Sequence, residues 1–483
     1  MFDPKTQLAR PADQPRSSSI LCSPRCPVGL FVGACGRLPQ RAMARGAVAL
    51  ILTMLVAVSA RVASADIRCG LALQTNVCLE ATGSCPAFNL PGPADSPWPL
   101  FQQNSQHTGR SPFVGPTCGN EIWRAKIGGK ILSTPALGTD GALYVAAAKY
   151  PVCAINQADG TVYWCKTDDP GKLPDYSAPA IGNNNFLYVG TRDNDLWALD
   201  LPLTTAPEAA VAWREKVCTD GDITTSPSIG ADGVVYMGSD SLGGGTVMAM
   251  CPGSERRVKW CVNPLGGGIR DVSPALSKDG SSVFVTYDGA FVMALGASTG
   301  AEQWKVQLNS SVHGVRGSNY TPVVDPTTGK IFVGFDQGLF EITPPAALPG
   351  SPASRLLYPT YATVRERIYS PAALDTDNGT IFVLAVGREK PSLYAIGFDG
   401  VLKWKKDYTQ LGNGSGRNTP PVVDAKGNVY VVTKHALHAF DKNGNLLFAR
   451  TTPNQFQSAP ILGDGRLYVS SVDGYISAIG GCL

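Results

Sequence analysis

A proline sets the frame of this chain. It recurs at Pro135, Pro179, Pro227, Pro274, Pro322, Pro371, Pro420 and Pro460, at intervals of 40 to 49 residues. Each is followed by a short β-branched and aromatic run: LYV at 143, LYV at 187, VYM at 235, VFV at 283, IFV at 331, IFV at 381, VYV at 429 and LYV at 467. A third run usually holds a small residue (Ala154, Ala198, Ala249, Ala294, Ala395, Ala439, Ala478). A fourth ends on an aromatic: Trp164, Trp213, Trp260, Trp304, Trp404 and Phe448. Runs of this kind, cut by Gly/Asp turns, read as short antiparallel strands. Four strands per period, eight times over, is the pattern of an all-β, eight-bladed β-propeller of four-stranded antiparallel blades. One blade cannot bury both faces of its sheet. A ring can, because each face stacks on a neighbour.

Two irregularities carry information. The eighth repeat ends at Gly480-Gly481-Cys482-Leu483 without a fourth strand. An orphan fourth strand, Gly119-Asn120-Glu121-Ile122-Trp123-Arg124, stands before the first repeat and keeps the Gly-x-x-x-Trp spacing of Gly160/Trp164 and Gly300/Trp304. The N-terminal strand is therefore expected to complete the last blade and leave no open edge. The fifth repeat departs from the rule, since no Trp follows Phe340-Glu341.

The chain divides into 1–65, 66–118 and 119–483. Residues 47–58 (AVALILTMLVAV) are an apolar run too short to span a bilayer comfortably. Arg45 precedes it, and Ala63-Ser64-Ala65 follows as an A-x-A site, so 43–65 reads as a secretory signal peptide cleaved before Asp66. Asp66-Ile67-Arg68 before Cys69 lacks the small apolar residues of a lipoprotein site. Residues 1–42 read as an over-extended start, with a genuine long leader as the alternative. Residues 66–118 read as an irregular, Cys-containing segment broken by PGPADSPWP (Pro91–Pro99), which neither helix nor strand tolerates.

Charge excludes some partners. Residues 1–65 hold eight Lys/Arg and two Asp/Glu; the whole chain is +3, so the remainder is about −3. Such a surface, without a basic stripe, is unsuited to nucleic acid or anionic membranes. Ten of the thirteen cysteines lie beyond the leader, and an even number in an exported chain argues for disulfides. No C-x-x-C occurs, so zinc and haem spacings are absent. Cys153 is expected to pair with Cys165, and Cys251 with Cys261, across neighbouring strands; free buried thiols are the alternative. Cys118 and Cys482 flank the expected closure and are placed to bond there. The alternative partners of Cys118 are Cys69, Cys78, Cys85 and Cys218.

Ala154 to Trp164 (AINQADGTVYW) and Ala294 to Trp304 (ALGASTGAEQW) resemble the tryptophan-docking motif of blades in the PQQ-binding-like (pyrroloquinoline quinone) β-propeller repeat family. Residues 395–404 (AIGFDGVLKW) match with one residue deleted, and Trp98 to Gly109 (WPLFQQNSQHTG) resembles the lead-in segment of such propellers. The resemblance covers roughly 98–483. It implies relation to quinoprotein alcohol dehydrogenases and to the outer-membrane assembly propeller. It assigns Trp123, Trp164, Trp213, Trp260, Trp304 and Trp404 to docking between blades, a structural role.

The enzymes of that family stack the quinone on a disulfide between adjacent cysteines, hold Ca²⁺ with Glu/Asn/Asp and use an Asp base. No two cysteines are adjacent here. Arg192, Asp193, Asp222, Arg270, Asp271, His313, Arg316, Lys434 and His435 are expected to share one rim, either as solvated surface or as a binding rim. Asp375-Thr376-Asp377-Asn378-Gly379 has oxygen spacing that Ca²⁺ accepts, but turn geometry alone also favours it. The reading is an exported, non-catalytic scaffold for an unknown protein or small-molecule ligand, with no catalytic residue assigned and no cofactor expected. The alternative is a quinone-dependent oxidoreductase of alcohols or sugars carrying PQQ and Ca²⁺.

Overall fold

Why the repeats form separate sheets is visible strand by strand. In blade 1, Ala136–Leu137, Ala142–Ala147, Tyr150–Asn156 and Val162–Cys165 pair antiparallel in sequence order. The second strand is apolar along its whole length and buried throughout, because both faces of the sheet are covered. We call the four strands a to d from the channel outwards. The computed structural model describes residues 77–78, 85, 92–166, 177–201, 210–216, 221–240, 244–252, 258–263, 268–269, 271–308, 321–360, 366–368, 370–387, 390–411 and 419–482. Within these are eight blades in a ring and only one helical turn, Tyr408–Leu411. The leader, its cleavage site, Cys69, Cys218, Arg270, His313 and Arg316 lie outside the described residues.

The ring closes between its two ends. Strand Glu121–Lys126 pairs with Tyr475–Ile479, placing Trp123 opposite Ala478, and supplies strand d of blade 8. Cys118 and Cys482 are bonded just beyond this pairing, joining positions 364 residues apart. Inside blade 1, Cys153 faces Cys165 in register and bonds to it.

Cys251 is a correction: it bonds to Cys85, not to Cys261. The register explains the difference. Cys153 precedes the small Ala154 of strand c, which brings it opposite Cys165. Cys251 instead follows Ala249 by two residues and lies past the end of strand c, whereas Cys261 faces Met248. Cys261 is itself disulfide-bonded, and the residue facing it on its other side in register is Cys78. That neighbour belongs to a two-residue strand, Val77–Cys78, which lies along the outer edge of blade 3 and makes it five-stranded.

The docking indoles act across blade boundaries. Trp123, Trp260 and Trp404 donate their ring N–H to the carbonyls of Gln157, Ala297 and Lys442 in the c–d turn of the next blade, at 3.1, 2.9 and 2.9 Å. Gly160, Gly300 and Gly444 of those turns lie against the same rings. A Cβ there would stand 2.5, 2.7 and 2.9 Å from a ring carbon, and each glycine has a left-handed φ. Space and backbone conformation thus both demand glycine.

Blade 5 is complete despite its missing Trp. Strand c, Gly338–Thr343, pairs with strand d, Ala353–Pro359, after a connection holding Pro344, Pro345, Pro349 and Pro352. The register puts Leu339 opposite Tyr358 and Phe340 opposite Leu356, the places of Ala154/Trp164 and Ile155/Val162 in blade 1. Blade 6 packs here without an indole: Gly400 lies on Leu357, and the Phe398 ring is tilted at 33° to Phe332, 5.5 Å between centroids.

Candidate functional site

The middle of a propeller is lined by its a strands, so we follow the channel from end to end. One end is held by the stretch 98–111. Its groups meet the blades in chain order. The Trp98 and Pro99 carbonyls accept from Leu137 and Ile181 N–H, of blades 1 and 2, both at 2.9 Å. Ser105 donates its hydroxyl to the Ile229 carbonyl of blade 3 at 2.6 Å and accepts from Leu276 N–H of blade 4 at 2.8 Å. The Gln106, Thr108 and Gly109 carbonyls accept from Val324, Leu374 and Val423, of blades 5, 6 and 7, at 2.9, 2.8 and 2.9 Å. Ser111 Oγ donates to the Leu462 carbonyl of blade 8 at 3.3 Å. One strap therefore bonds to all eight blades.

The strap has no periodic element, and its turns need unusual backbone. Gln102, Gln103, His107 and Gly109 all have positive φ. A Cβ on Gly109 would stand 2.7 Å from Gln102 Oε1 and 3.1 Å from Ala373 Cβ. Asn104 stabilises the turn by donating to Thr108 Oγ1 at 2.7 Å and accepting Thr108 N–H at 3.1 Å. Trp98, Leu100 and His107 are completely buried. His107 Nε2 bonds Ser228 Oγ at 3.0 Å, and Nδ1 has no partner. Burial holds its imidazole down to about 4, against a weaker opposite pull from the Pro322 carbonyl.

The other half of the channel wall carries hydroxyls just before the strand-opening prolines. Ser226, Ser273 and Thr321 oxygens accept from Ala178, Ser226 and Ser273 N–H, at 2.9, 2.9 and 3.1 Å, linking blades 2 to 5 in series. Ser133 and Thr225 donate to the Ala146 and Gly238 carbonyls at 2.8 and 2.7 Å. Ser370 Oγ and Ser458 Oγ are buried without a partner.

The described rim residues lie in b–c loops and in the connections that open each blade, and bond to neighbouring loops. Arg192 and Asp193 sit between strands Phe186–Gly190 and Asp195–Asp200, and Lys434 and His435 between Val429–Val432 and Ala436–Phe440. The Lys434 and His435 carbonyls accept from Phe456 and Thr452 N–H at 2.9 Å, and Asp222 pairs by backbone with Asp240. Asp271 N–H donates to Thr224 Oγ1 at 3.1 Å. Asp375 and Asp377 both pair with Arg110, which the strap brings to this turn from 267 positions away from Asp377. Among the described residues, His, Cys, Asp and Glu are nowhere gathered in threes to hold a metal ion. Among the described residues, the adjacent-cysteine disulfide and the Ca²⁺ ligand cluster implied by the family's enzymes are not found. Three of the disulfides join cysteines 12, 166 and 364 positions apart, no two cysteines are adjacent in the sequence, and the turn with Ca²⁺-like spacing already faces a guanidinium.

Sequence reasoning missed the strap as an architectural element. Its signal was the WPLFQQNSQHTG match, but its bonds to six of the eight blades run through main-chain carbonyls, which no side-chain pattern reports.

The family profile described as "Outer membrane protein assembly factor BamB" matches residues 113–260 and 389–480. No curated protein matches the chain. Among solved structures, the quinohemoprotein alcohol dehydrogenase of Comamonas testosteroni is 15% identical, with a TM-score of 0.61 over 81% of this chain and 82% of that one. BamB from Moraxella catarrhalis is 16% identical, with a TM-score of 0.54 over 75% and 98%. Sqt1 from Chaetomium thermophilum, bound to the N-terminus of the ribosomal protein L10, is 11% identical, with a TM-score of 0.59 over 75% and 100%. Eight blades, the repeated indole-on-glycine docking and these matches agree: the chain belongs to the PQQ-like β-propeller repeat family.

Proposed function

We propose that this protein is an exported, non-catalytic PQQ-like propeller that binds another protein as a scaffold. The observation that carries the reading is the strap. The chain spans one end of its own channel, buries His107 there, and pairs Arg110 with the acidic turn. Groups that would serve chemistry are engaged in holding the ring together. Support also comes from the fold neighbours, since Sqt1 with the same architecture is bound to a protein segment. The disulfides suit an oxidising compartment such as the periplasm or extracellular space.

Two measurements test this. Reconstitution with PQQ and Ca²⁺ is expected to give no quinone absorbance and no dye-linked oxidation of alcohols or sugars. Saturable PQQ-dependent turnover would establish the oxidoreductase reading instead. N-terminal sequencing of exported protein is expected to begin at Asp66; material that retains Val48–Val58 would argue against the signal peptide.

A further inference from the structure

The boundary between blades 7 and 8 holds an unbalanced charge cluster around a cleft. Trp123 docks on blade 1, so Arg124 and Lys126, which alternate with buried residues along the same strand, face blade 7. From blade 7, Arg450 reaches across. Its Nη2 lies 3.2 Å from Glu121 Oε2, and its Nη1 donates to the Gly119 carbonyl at 3.2 Å. Arg124 Nε lies 3.4 Å from the same Glu121 oxygen and donates to Ser477 Oγ at 3.3 Å. Leu437, Phe456, Val469 and Ile479 form an apolar floor, and the cleft measures about 330 Å³ with its open mouth.

Two guanidinium groups thus share one carboxylate oxygen, and neither aims an N–H at it: Glu121 Oε2 is buried with no hydrogen-bond partner. The terminal nitrogens of Arg124 form no hydrogen bond with the described residues. Arg124 and Lys126 both lie over the Tyr475 ring, 5.2 and 5.3 Å from its centre. Lys434 and His435 adjoin the cleft, because their carbonyls accept the Phe456 and Thr452 N–H groups of its wall. Against Arg124, Lys126, Arg450 and Lys434 stand only Glu121 and Asp473, an exposed turn residue that makes no ion pair with the described residues. On a chain that is slightly acidic beyond its leader, this corner is locally positive.

We propose that this cleft docks an acidic segment of a partner protein, one carboxylate of which enters between Arg124 and Arg450. The inference rests on the scaffold reading and gives it a place. The planar guanidinium groups match a carboxylate, and the N–H groups that Glu121 leaves unused supply the bonds. Tyr475 and the apolar floor cover the methylenes of the entering side chain or an apolar neighbour. The cleft is small, so it takes the end of a side chain rather than a whole cofactor. The positive patch is also local. The acidic surface beyond it repels a long polyanion but tolerates one or two carboxylates.

The test pans a displayed library of short random peptides against the full exported protein and against its Arg124→Gln/Arg450→Gln variant. Peptides that prefer the parent are expected to carry Asp or Glu beside an apolar residue, and to shift the Nε–H resonances of Arg124 and Arg450. Either single Gln variant should weaken them about tenfold. Glu121→Gln removes the competing carboxylate and should tighten them, a change of sign that misfolding does not produce. Arg355→Gln, on blade 5 and paired with Glu341, should leave binding unchanged. Acetate or phosphate that displaces the peptides at equal concentration would assign the cleft to a free small anion and overturn the docking site. Peptides that bind elsewhere, or a library with no preference for the parent, would also overturn it and leave the scaffold reading standing. That reading falls instead with PQQ-dependent turnover, whatever the peptides do.

Discussion

Replacing Cys118 and Cys482 together by serine should lower the unfolding free energy by about 4–5 kcal/mol, with a matching fall in the thermal midpoint. The bond closes a loop of 364 positions, and crosslinks constrain the unfolded chain more as the loop grows. Strand pairing between Glu121–Lys126 and Tyr475–Ile479 remains in the variant, so the ring should still form. A non-reduced digest of the parent should yield one peptide joining both ends. An unchanged midpoint would show that the strand pairing closes the ring unaided. Serine at Cys153 and Cys165 should matter less, about 3 kcal/mol at most, because that loop spans 12 positions inside one hairpin.

Acid should weaken the fold through His107. Its imidazole stays neutral in the native protein down to about pH 4, whereas the unfolded side chain takes up a proton near its ordinary value of about 6.5. Between those values the unfolded state binds more protons, so stability is fully present above pH 6.5 and falls as pH drops toward 4. The shift corresponds to about 3 kcal/mol over that window. Denaturant titrations at pH 7.5 and 4.5 (~3 units apart) would measure it. In His107→Asn, which tolerates the positive φ, the difference between the two pH values should shrink by most of that amount. If it persists unchanged, other groups govern the acid limb.

What was legible in the sequence follows from the range of each interaction. The strands, the turn glycines and the closure by Glu121–Lys126 are set by alternation and by Gly-x-x-x-Trp spacing, which are local. Blade 5 hid its fourth strand behind a proline-rich connection, and its compensation comes from Phe398 of the next repeat. The Cys85–Cys251 bond depends on where an N-terminal strand settles against blade 3, a pairing between segments 166 positions apart. The strap was hardest to foresee. Its Gln and Asn side chains suggest solvent, yet Gln102, Ser105 and His107 are buried because the channel wall offers them partners, the Ala372 and Ile229 carbonyls and the Ser228 hydroxyl.

The strap also bears on number. A ring of similar repeats could in geometry close with one unit more or fewer, since every interface looks alike to its neighbours. Here each first strand contributes one group to a segment of fixed length, from Leu137 at Trp98 to Leu462 at Ser111. A seven-membered ring would strand one of those buried groups without a mate, and a nine-membered one would have a wall unit with nothing to bind. An unmated buried polar group costs about 1–3 kcal/mol, enough to bias a population toward one stoichiometry. The strap is thus a gauge that counts the repeats, and duplication or loss of a repeat in this lineage would have to be matched by a change within 98–111.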